Sequence, residues 1–308
     1  MSGLIKDRWP LKWALLFLGG TTLTTFLVGL LCISFYQDWR RERRSDPRYA
    51  ITQILQTGPE REALPTNCLA ELLSLSSDVT QNLYAFDLKK GEKALLECPL
   101  IVQAKLERSS PSTLAVNYEI RRPIALLADY QNVAVDAQGY LFPLHPFLSP
   151  KEMPEIYLGL PPFEAEEDAM RRKGGRWGEP LSNREWLLAL EILQTFDETP
   201  WKEGISVRRI DLSNAFASTL GRREIVLFTS EEVRLQRDGS ILTFLFPKIL
   251  RLPTRDYRNQ LNNFFSLRAT MQQDYARQLA TFQQGATFAP RIIDLRLSHL
   301  AFVENRPE

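Results

Sequence analysis

The chain has 308 residues, and its 38 lysines and arginines almost balance its 37 aspartates and glutamates, giving a formal net charge of +1. This balance gives no basic footprint of the kind that binds nucleic acid, and three cysteines are too few for a disulfide scaffold. Hydrophobic residues make up 44% of the sequence, which is enough for one large domain or two ordinary ones.

One uncharged apolar run, from Trp13 to Tyr36, differs from every other segment. As a helix it would be about 36 Å long, enough to cross a hydrocarbon core of about 30 Å. A cleaved signal peptide has a shorter apolar region and a small-residue cleavage site, whereas Gln37, Asp38 and Trp39 follow here. The run therefore predicts an uncleaved transmembrane helix over residues 13–36, after a tail of residues 1–12.

The charges that flank this run leave its orientation open. Lys6, Arg8 and Lys12 precede it, and four arginines follow it within residues 40–44. Taken alone, the excess after the run favours a cytoplasmic location for the C-terminal side. A long domain responds weakly to local charge, however, so both orientations remain open at this point.

The next segment predicts a polar linker, residues 37–48, and then a small domain, residues 49–122. Asp87 is a good N-cap for a helix that runs to about Cys98. Alternating apolar residues predict two strands after it, with a turn at residues 109–112. The predicted order is strand, helix, helix, strand, strand, with both helices on one face of the sheet. The apolar faces of the last two strands are Val102, Ala104 and Leu106, and Leu114, Val116, Tyr118 and Ile120.

Cys68 and Cys98 lie thirty positions apart in this small domain. A disulfide between them would stabilise the fold by about 3–4 kcal/mol on the loop-entropy model. Two buried free thiols are the alternative, and the sequence is consistent with either.

Residues 123–303 predict a β-rich domain, with a tail of residues 304–308. A β-turn is predicted at Asp136–Gly139, an irregular surface stretch at residues 143–180, and a helix after the capping box Ser182–Glu185. Further strands are predicted at residues 207–212, 225–228, 233–235, 241–246 and 292–303, with a long helix before the last one. The fold class is α+β: a single N-terminal transmembrane helix, a βααββ domain, and a β-rich domain with flanking helices.

The sequence lacks the usual catalytic signatures: a phosphate-binding glycine loop, a nucleophile elbow and a zinc-protease motif. A zinc site would require His145 and His299 to converge with Cys68 and Cys98. We therefore predict no catalytic, metal or cofactor site, although a Ser-His-Asp set distant in sequence stays open. The basic cluster at residues 171–176 fits a phosphate or anionic-lipid contact, or a solvated loop.

The last predicted strand gives a positive indication of binding. Its apolar face carries Ile293, Leu295 and Leu297, and its polar face carries Asp294, Arg296 and Ser298. A C-terminal strand at a sheet edge leaves backbone groups that a partner strand can pair with. An internal strand, paired on both sides, is the alternative.

Three motifs together resemble one family. Glu119–Ala125 reads Glu-x-x-x-Pro-x-Ala, Val135–Phe142 reads Val-Asp-x-x-Gly-x-x-Phe, and a closing Asp-Leu-Arg occupies residues 294–296. Their order and spacing resemble the bacterial cell-division proteins FtsQ and DivIB, in which an anchor precedes a POTRA domain and a β domain. The chain departs from that pattern at Ser110, where the family often has Trp, and at Leu297, where it often has an aromatic residue.

The resemblance implies a non-enzymatic divisome scaffold in the inner membrane at the division septum, with a cytoplasmic N-terminus and the bulk of the chain in the periplasm. It implies partners like FtsB and FtsL (DivIC), single-pass proteins that regulate septal peptidoglycan synthesis and bind by strand addition. The implied contact residues are Arg296, Leu297 and Ser298, with Ile293 and Asp294 as neighbours and Arg208 beside the same edge.

Two other functions remain as alternatives at this stage. One is a POTRA-containing adaptor for envelope assembly or secretion. The other is a membrane-tethered enzyme with a site that carries no recognisable motif.

Overall fold

The computed structural model describes residues 8–58, 62–76, 80–109, 111–149, 151–161, 178–198, 204–237, 240–279, 291–298 and 300–304. The fold is mixed α+β, with one long apolar N-terminal helix and a large remainder rich in β-sheet. The chain forms two compact units, Met1–Glu119 and Ile120–Glu308. The predicted basic cluster at residues 171–176, and His299, lie outside the described residues.

The first helix, α1, runs without a break from Arg8 to Ser45. The predicted linker of residues 37–48 is therefore wrong over most of its length, because the helix continues through residues 37–45. No glycine or proline occurs between Leu30 and Asp46, so nothing in the sequence interrupts the helix. It ends before Pro47, whose ring disfavours helical backbone at the preceding residue.

The rest of the first unit has the predicted element order. Its sheet has the strand order β1-β3-β2, and β1 runs parallel to β3. Parallel neighbours need a long crossover connection, and the two helices lie in it. The elements are β1 (Gln53–Thr57), α2 (Thr66–Leu72), α3 (Leu88–Leu96), β2 (Ile101–Ser109) and β3 (Thr113–Ile120).

Individual predictions in this unit have different outcomes. Asp87 caps α3 as predicted, since its Oδ1 accepts a hydrogen bond from the backbone N–H of Lys90 at 3.2 Å. The whole predicted face of β3 is buried. For β2, the prediction of a buried apolar face is wrong at Val102, which is 39% exposed. It is right at Leu106, which is buried. Strand β2 lies at the edge of the sheet, where the N–H of Leu106 donates to Glu92 Oε1 of α3 at 2.9 Å.

The structure answers the question of Cys68 and Cys98, because both are free thiols. Cys98 is buried, and this burial raises the pKa of its thiol. The alternative of a disulfide in this unit is therefore not realised.

The second unit contains a nine-stranded sheet in the order β12-β11-β10-β9-β8-β7-β4-β5-β6. Helices α4 (Arg184–Asp197) and α5 (Tyr257–Leu279) supply apolar side chains to its core. The strands are β4 (Pro123–Leu127), β5 (Val133–Asp136), β6 (Leu141–Pro143), β7 (Glu155–Tyr157), β8 (Ile205–Asp211), β9 (Ile225–Arg237), β10 (Ser240–Leu252), β11 (Arg291–Asp294) and β12 (Phe302–Glu304).

Strand β7 corrects the prediction of an irregular stretch at residues 143–180. It lies inside the sheet, parallel to β4 on one side and β8 on the other, and Ile156 at its centre is fully buried. Three residues are too few to produce a visible alternation in a proline-rich segment. Strand β9 is likewise one continuous strand where two short ones, 225–228 and 233–235, were predicted.

The predicted turn at Asp136–Gly139 is confirmed. Asp136 Oδ1 accepts hydrogen bonds from the backbone N–H groups of Gln138 and Tyr140, at 3.0 and 2.9 Å. Its other carboxylate oxygen accepts a 2.7 Å bond from Arg121 Nη1. Gly139 has φ +89°, and a Cβ there would lie 2.8 Å from the carbonyl oxygen of Leu181. Both features explain why aspartate and glycine occupy these positions.

A buried ionic cluster lies where α5 packs on β9 and β10. Glu231 contacts Lys248 through Oε2, and Oε1 accepts hydrogen bonds from Arg268 Nε at 2.5 Å and Gln272 Nε2 at 2.6 Å. The side chains of Glu231 and Lys248 are each only 1% exposed. Burial alone raises the pKa of Glu231, but the charge of Lys248 and the three hydrogen bonds outweigh it and lower that pKa. The carboxylate therefore stays ionised among its partners.

Glu231→Gln is expected to lower the free energy of unfolding of this unit by about 3–5 kcal/mol, because it removes the carboxylate from a buried charged cluster. Unfolding of the full-length protein in detergent, followed by circular dichroism, measures the effect. Glu191→Gln is the matched control, since Glu191 pairs with Arg258 at 2.7 Å near the surface of the same unit. Its loss should stay below about 1 kcal/mol. Equal losses in the two variants would contradict a buried cluster.

Candidate protein-binding edge

The C-terminal segment forms two strands, where one strand over residues 292–303 was predicted. Strand β11 pairs with β10 in parallel, Leu250 opposite Ile293, and with β12 in antiparallel fashion, Ile293 opposite Val303. The Ile293 segment is therefore an internal strand, which the sequence left open as the alternative, because β11 has a neighbour on each side. The edge strand is β12.

Local hydrogen bonds explain the break between these two strands. Asp294 Oδ1 accepts a 3.1 Å hydrogen bond from the backbone N–H of Arg296, which is the bonding of an Asx-turn. The N–H of Leu300 then donates to the carbonyl oxygen of Leu297 at 3.3 Å. The alternating pattern at residues 293–298 therefore leads out of β11 into a turn, and the chain returns as β12.

Strand β12 is short and exposed. Phe302 is 68% exposed and Val303 is 41% exposed. Within the described part of the chain, no strand follows β12 in the sheet order, so its outer backbone groups are open to a partner strand.

Four charged side chains form a network beside this edge. Arg251 Nη2 lies 2.6 Å from Glu224 Oε2, and its Nη1 lies 3.6 Å from Asp294 Oδ2. Arg296 Nη2 contacts the same Asp294 oxygen at 2.7 Å, and its Nη1 lies 3.3 Å from Glu224. Two carboxylates thus alternate with two guanidinium groups across β10 and the turn after β11.

The network shifts the pKa of Asp294. Burial acts to raise this pKa, but hydrogen bonds from Arg296 and the charges of Arg296 and Arg251 outweigh it and lower the pKa from its ordinary value. The hydrogen bonds to Asp294 also raise the pKa of Arg296. Both side chains therefore remain charged and hold the turn in place.

A cavity of about 830 Å³ opens beside β12. Four large apolar side chains in its wall are more exposed than is usual for such residues: Leu220 at 78%, Leu297 at 68%, Leu300 at 65% and Phe302 at 68%. Exposed apolar residues gathered at one place are typical of a protein-binding surface. The charged lining consists of Arg184, Arg223, Arg255, Arg296 and Asp294, so arginine predominates.

The predicted contact residues of the C-terminal segment differ in how far their side chains are exposed: two are exposed, two are half-buried and one is buried. Leu297 and Ser298 are exposed in the turn, where a partner can reach them. Asp294 and Arg296 are half-buried in the charge network, and Ile293 is fully buried in the core, which excludes a direct side-chain contact.

Arg208 does not lie beside this edge, contrary to the prediction. It is on β8, which β9 and β10 separate from β11, a distance of about 14 Å at the usual strand spacing. Its Nε donates instead to Ser230 Oγ on β9 at 3.5 Å.

Sequence reasoning missed Glu224, Arg251 and the cavity residues Leu220 and Phe302. Arg251 gave a signal, because it interrupts the apolar run Ile249-Leu250-Arg251-Leu252. Leu220 gave none, since an isolated leucine between polar residues is ordinary on a protein surface.

The described residues contain no group of three or more metal-ligating side chains. Helix α1 is long and apolar enough to cross a membrane, since an 18-residue window within Leu15–Ser45 has a mean hydropathy of 2.0, and this is compatible with a single-pass membrane protein. No family model and no curated protein sequence matches the chain.

Asp294→Asn is expected to lower the free energy of unfolding at neutral pH by about 1 kcal/mol, since the carboxylate accepts charged hydrogen bonds in a partly exposed site. The folded-state pKa of Asp294 is lowered, so its contribution is present above the unfolded-state pKa of about 3.9 and is lost as the pH falls through the folded value. Melting temperatures of both proteins at pH 7, 5 and 3 test this. A difference that is the same at pH 3 as at pH 7 contradicts it.

Proposed function

We propose that the protein is a membrane-anchored, non-enzymatic divisome scaffold of the FtsQ/DivIB type. It binds FtsB/FtsL-like single-pass proteins by strand addition at β12 and thereby links division proteins to septal peptidoglycan synthesis. The observation that carries this proposal is the exposed edge strand β12 beside an apolar cavity lined with arginine.

Strand addition uses two kinds of contact, and both are available at this site. The outer backbone groups of β12 pair with any extended segment and supply affinity. Phe302, Leu297 and Leu300 present an apolar surface for alternate side chains of that segment, which supplies specificity. The arginines around them favour a partner segment that combines apolar and acidic residues.

Features of both units support the same proposal. The βααββ order of the first unit is the element order that the resemblance to a POTRA domain implies. The Val135–Phe142 motif of that resemblance is a turn that Asp136 and Gly139 stabilise. The Asp-Leu-Arg motif at residues 294–296 forms the end of β11 and the start of the turn that leads to β12.

The proposed location is the inner membrane at the division septum, with the N-terminus in the cytoplasm and, in the periplasm, the second unit and the part of the first unit that follows α1. Protease added to intact spheroplasts should then degrade both units, and the N-terminal tail should resist until the membrane is permeabilised. Protection of the folded units in intact spheroplasts would exclude this orientation. A fluorescent fusion that labels the whole envelope evenly, with no septal band, would favour an envelope-assembly adaptor instead.

Leu297→Glu and Phe302→Glu are each expected to reduce recovery of the FtsB-like partner in a pull-down at least about tenfold, because a charge replaces an apolar contact at the centre of the surface. Leu245→Glu is the matched control, since Leu245 is 51% exposed on β10 and does not line the cavity. Recovery with the control should equal that of the wild type.

Backbone pairing has its own measurement. Amide hydrogen exchange at residues 302–304 should slow when the partner binds, because its strand covers the outer groups of β12. Unchanged exchange there, together with normal recovery of the two glutamate variants, would exclude this edge as the binding site.

A further inference from the structure

A second cavity, of about 600 Å³, lies within the first unit at the C-terminal end of α1. The last turns of α1 and the start of α3 form its walls. Its charged lining consists of Arg40, Arg43, Arg44, Lys89, Arg108 and Asp87. Tyr36, Trp39 and Tyr84 supply aromatic rings.

Hydrogen bonds fix these walls relative to each other. Asn82 Nδ2 donates to the carbonyl oxygens of Arg43 and Asp46, both at 3.0 Å, and so caps the end of α1. The N–H of Leu83 donates to the carbonyl oxygen of Tyr49 at 2.7 Å. The rings of Tyr49 and Tyr84 meet edge to face, with centroids 4.9 Å apart. The cavity therefore has a defined shape, unlike a row of basic residues on a flexible tail.

Two of the cations are held in place by neutral groups. The guanidinium of Arg43 lies 3.9 Å from the ring centroid of Trp39, and its Nη1 donates to Tyr84 Oη at 3.4 Å. Arg108 donates from Nε and Nη2 to the carbonyl oxygens of Leu83 and Phe86, at 2.8 and 2.9 Å. These contacts orient the two guanidinium groups and leave their charge uncompensated.

The other cations add charge that the lining does not neutralise. Arg40, Arg44 and Lys89 make no ion pair with the part of the chain that the structure describes. Among the described residues that line the cavity, Asp87 is the only carboxylate, and its Oδ1 caps α3. Five cations thus surround one carboxylate that already has a structural role.

The neighbouring arginines behave differently. Arg41 lies 3.8 Å from Asp38, and Arg48 lies 3.6 Å from Asp46. Neither lines the cavity. The uncompensated charge is therefore concentrated in the cavity and is not spread evenly over this end of α1.

The position of the cavity along α1 indicates the occupant. Tyr36 ends the uncharged apolar run, and at 1.5 Å per residue Arg40 and Arg44 lie about 6 and 12 Å beyond it. The polar headgroup layer on each side of a bilayer is about 5–8 Å thick. The long side chain of an arginine near the end of a membrane helix can reach this layer from a backbone position outside it. Tyr36 and Trp39 lie at the depth where interfacial aromatic residues are enriched.

We propose that this cavity binds the phosphate of an anionic phospholipid at the membrane surface. Guanidinium groups recognise phosphate oxygens through paired hydrogen bonds, and a net negative lipid supplies the charge that the cavity lacks. A phospholipid headgroup and a soluble phosphate present the same phosphate oxygens to these guanidinium groups. The location at the end of an apolar span favours the phospholipid. The proposal rests on α1 as the membrane anchor and is independent of the partner-binding edge.

The test compares two double variants of the full-length chain in detergent micelles. Arg40→Gln with Arg44→Gln removes two cations of the cavity, and Arg41→Gln with Arg48→Gln removes two paired arginines of the same segment. Native mass spectrometry during titration with phosphatidylglycerol, and separately with zwitterionic phosphatidylcholine, gives the bound lipid per chain.

The wild type should bind phosphatidylglycerol in preference to phosphatidylcholine. The cavity variant should lose affinity for phosphatidylglycerol about 25-fold, at about fivefold for each cation. The paired-arginine variant should stay within about twofold of the wild type. The side chains changed in the cavity variant are exposed, and circular dichroism checks that both variants are folded.

Three results would overturn the proposal. Equal losses in the two variants would indicate a diffuse charge effect, and no preference for the anionic lipid in the wild type would exclude the site. Binding of inorganic phosphate with a higher affinity than phosphatidylglycerol would assign the cavity to a soluble phosphate. The partner pull-down repeated on the cavity variant keeps the two proposals separate, because recovery should be normal whatever the lipid result.

Discussion

The parallel pairing of β11 with β10 is the constraint on which the C-terminal region depends. It buries Ile293 in the core and aligns Asp294 with Arg251 across the two strands. From that register the turn at Arg296 directs the chain back, and β12 becomes the outermost strand of the sheet. The exposed edge, the charge network and the cavity at Leu297 therefore all follow from one pairing between strands that are distant in sequence.

The local elements of the fold could be predicted from the sequence wherever one residue type determines a conformation. Asp87 caps α3, Gly139 occupies a left-handed turn position, and the alternation along β3 matches its burial. Such signals depend only on neighbours along the chain. Strand β7 could not be predicted, because its three residues owe their conformation to β4 and β8 on either side.

The candidate site was predicted only in part, because sequence signals depend on neighbours along the chain and not on strand order. Leu297 and Ser298 are exposed, as contact residues need to be, but they lie in a turn and not in the strand that was predicted for them. The sequence left open whether the Ile293 segment lies at the edge, since an alternating pattern cannot reveal whether a turn follows or how many neighbours a strand has. The predicted position of Arg208 is wrong, because strand order is a property of the whole sheet. The compensated network at Asp294 and the uncompensated cavity at Arg44 likewise emerge only in three dimensions.

The continuation of α1 beyond its apolar run has a mechanical consequence. The helix continues to Ser45, and Asn82 caps its last carbonyl groups, so hydrogen bonds hold the end of this candidate membrane-spanning helix to the small domain of the first unit. A rotation of the span about its own axis therefore turns the small sheet of that domain by the same angle, and a tilt of the span tilts it equally. A partner that rotates α1 would thus also change which side of the small sheet faces a given neighbour.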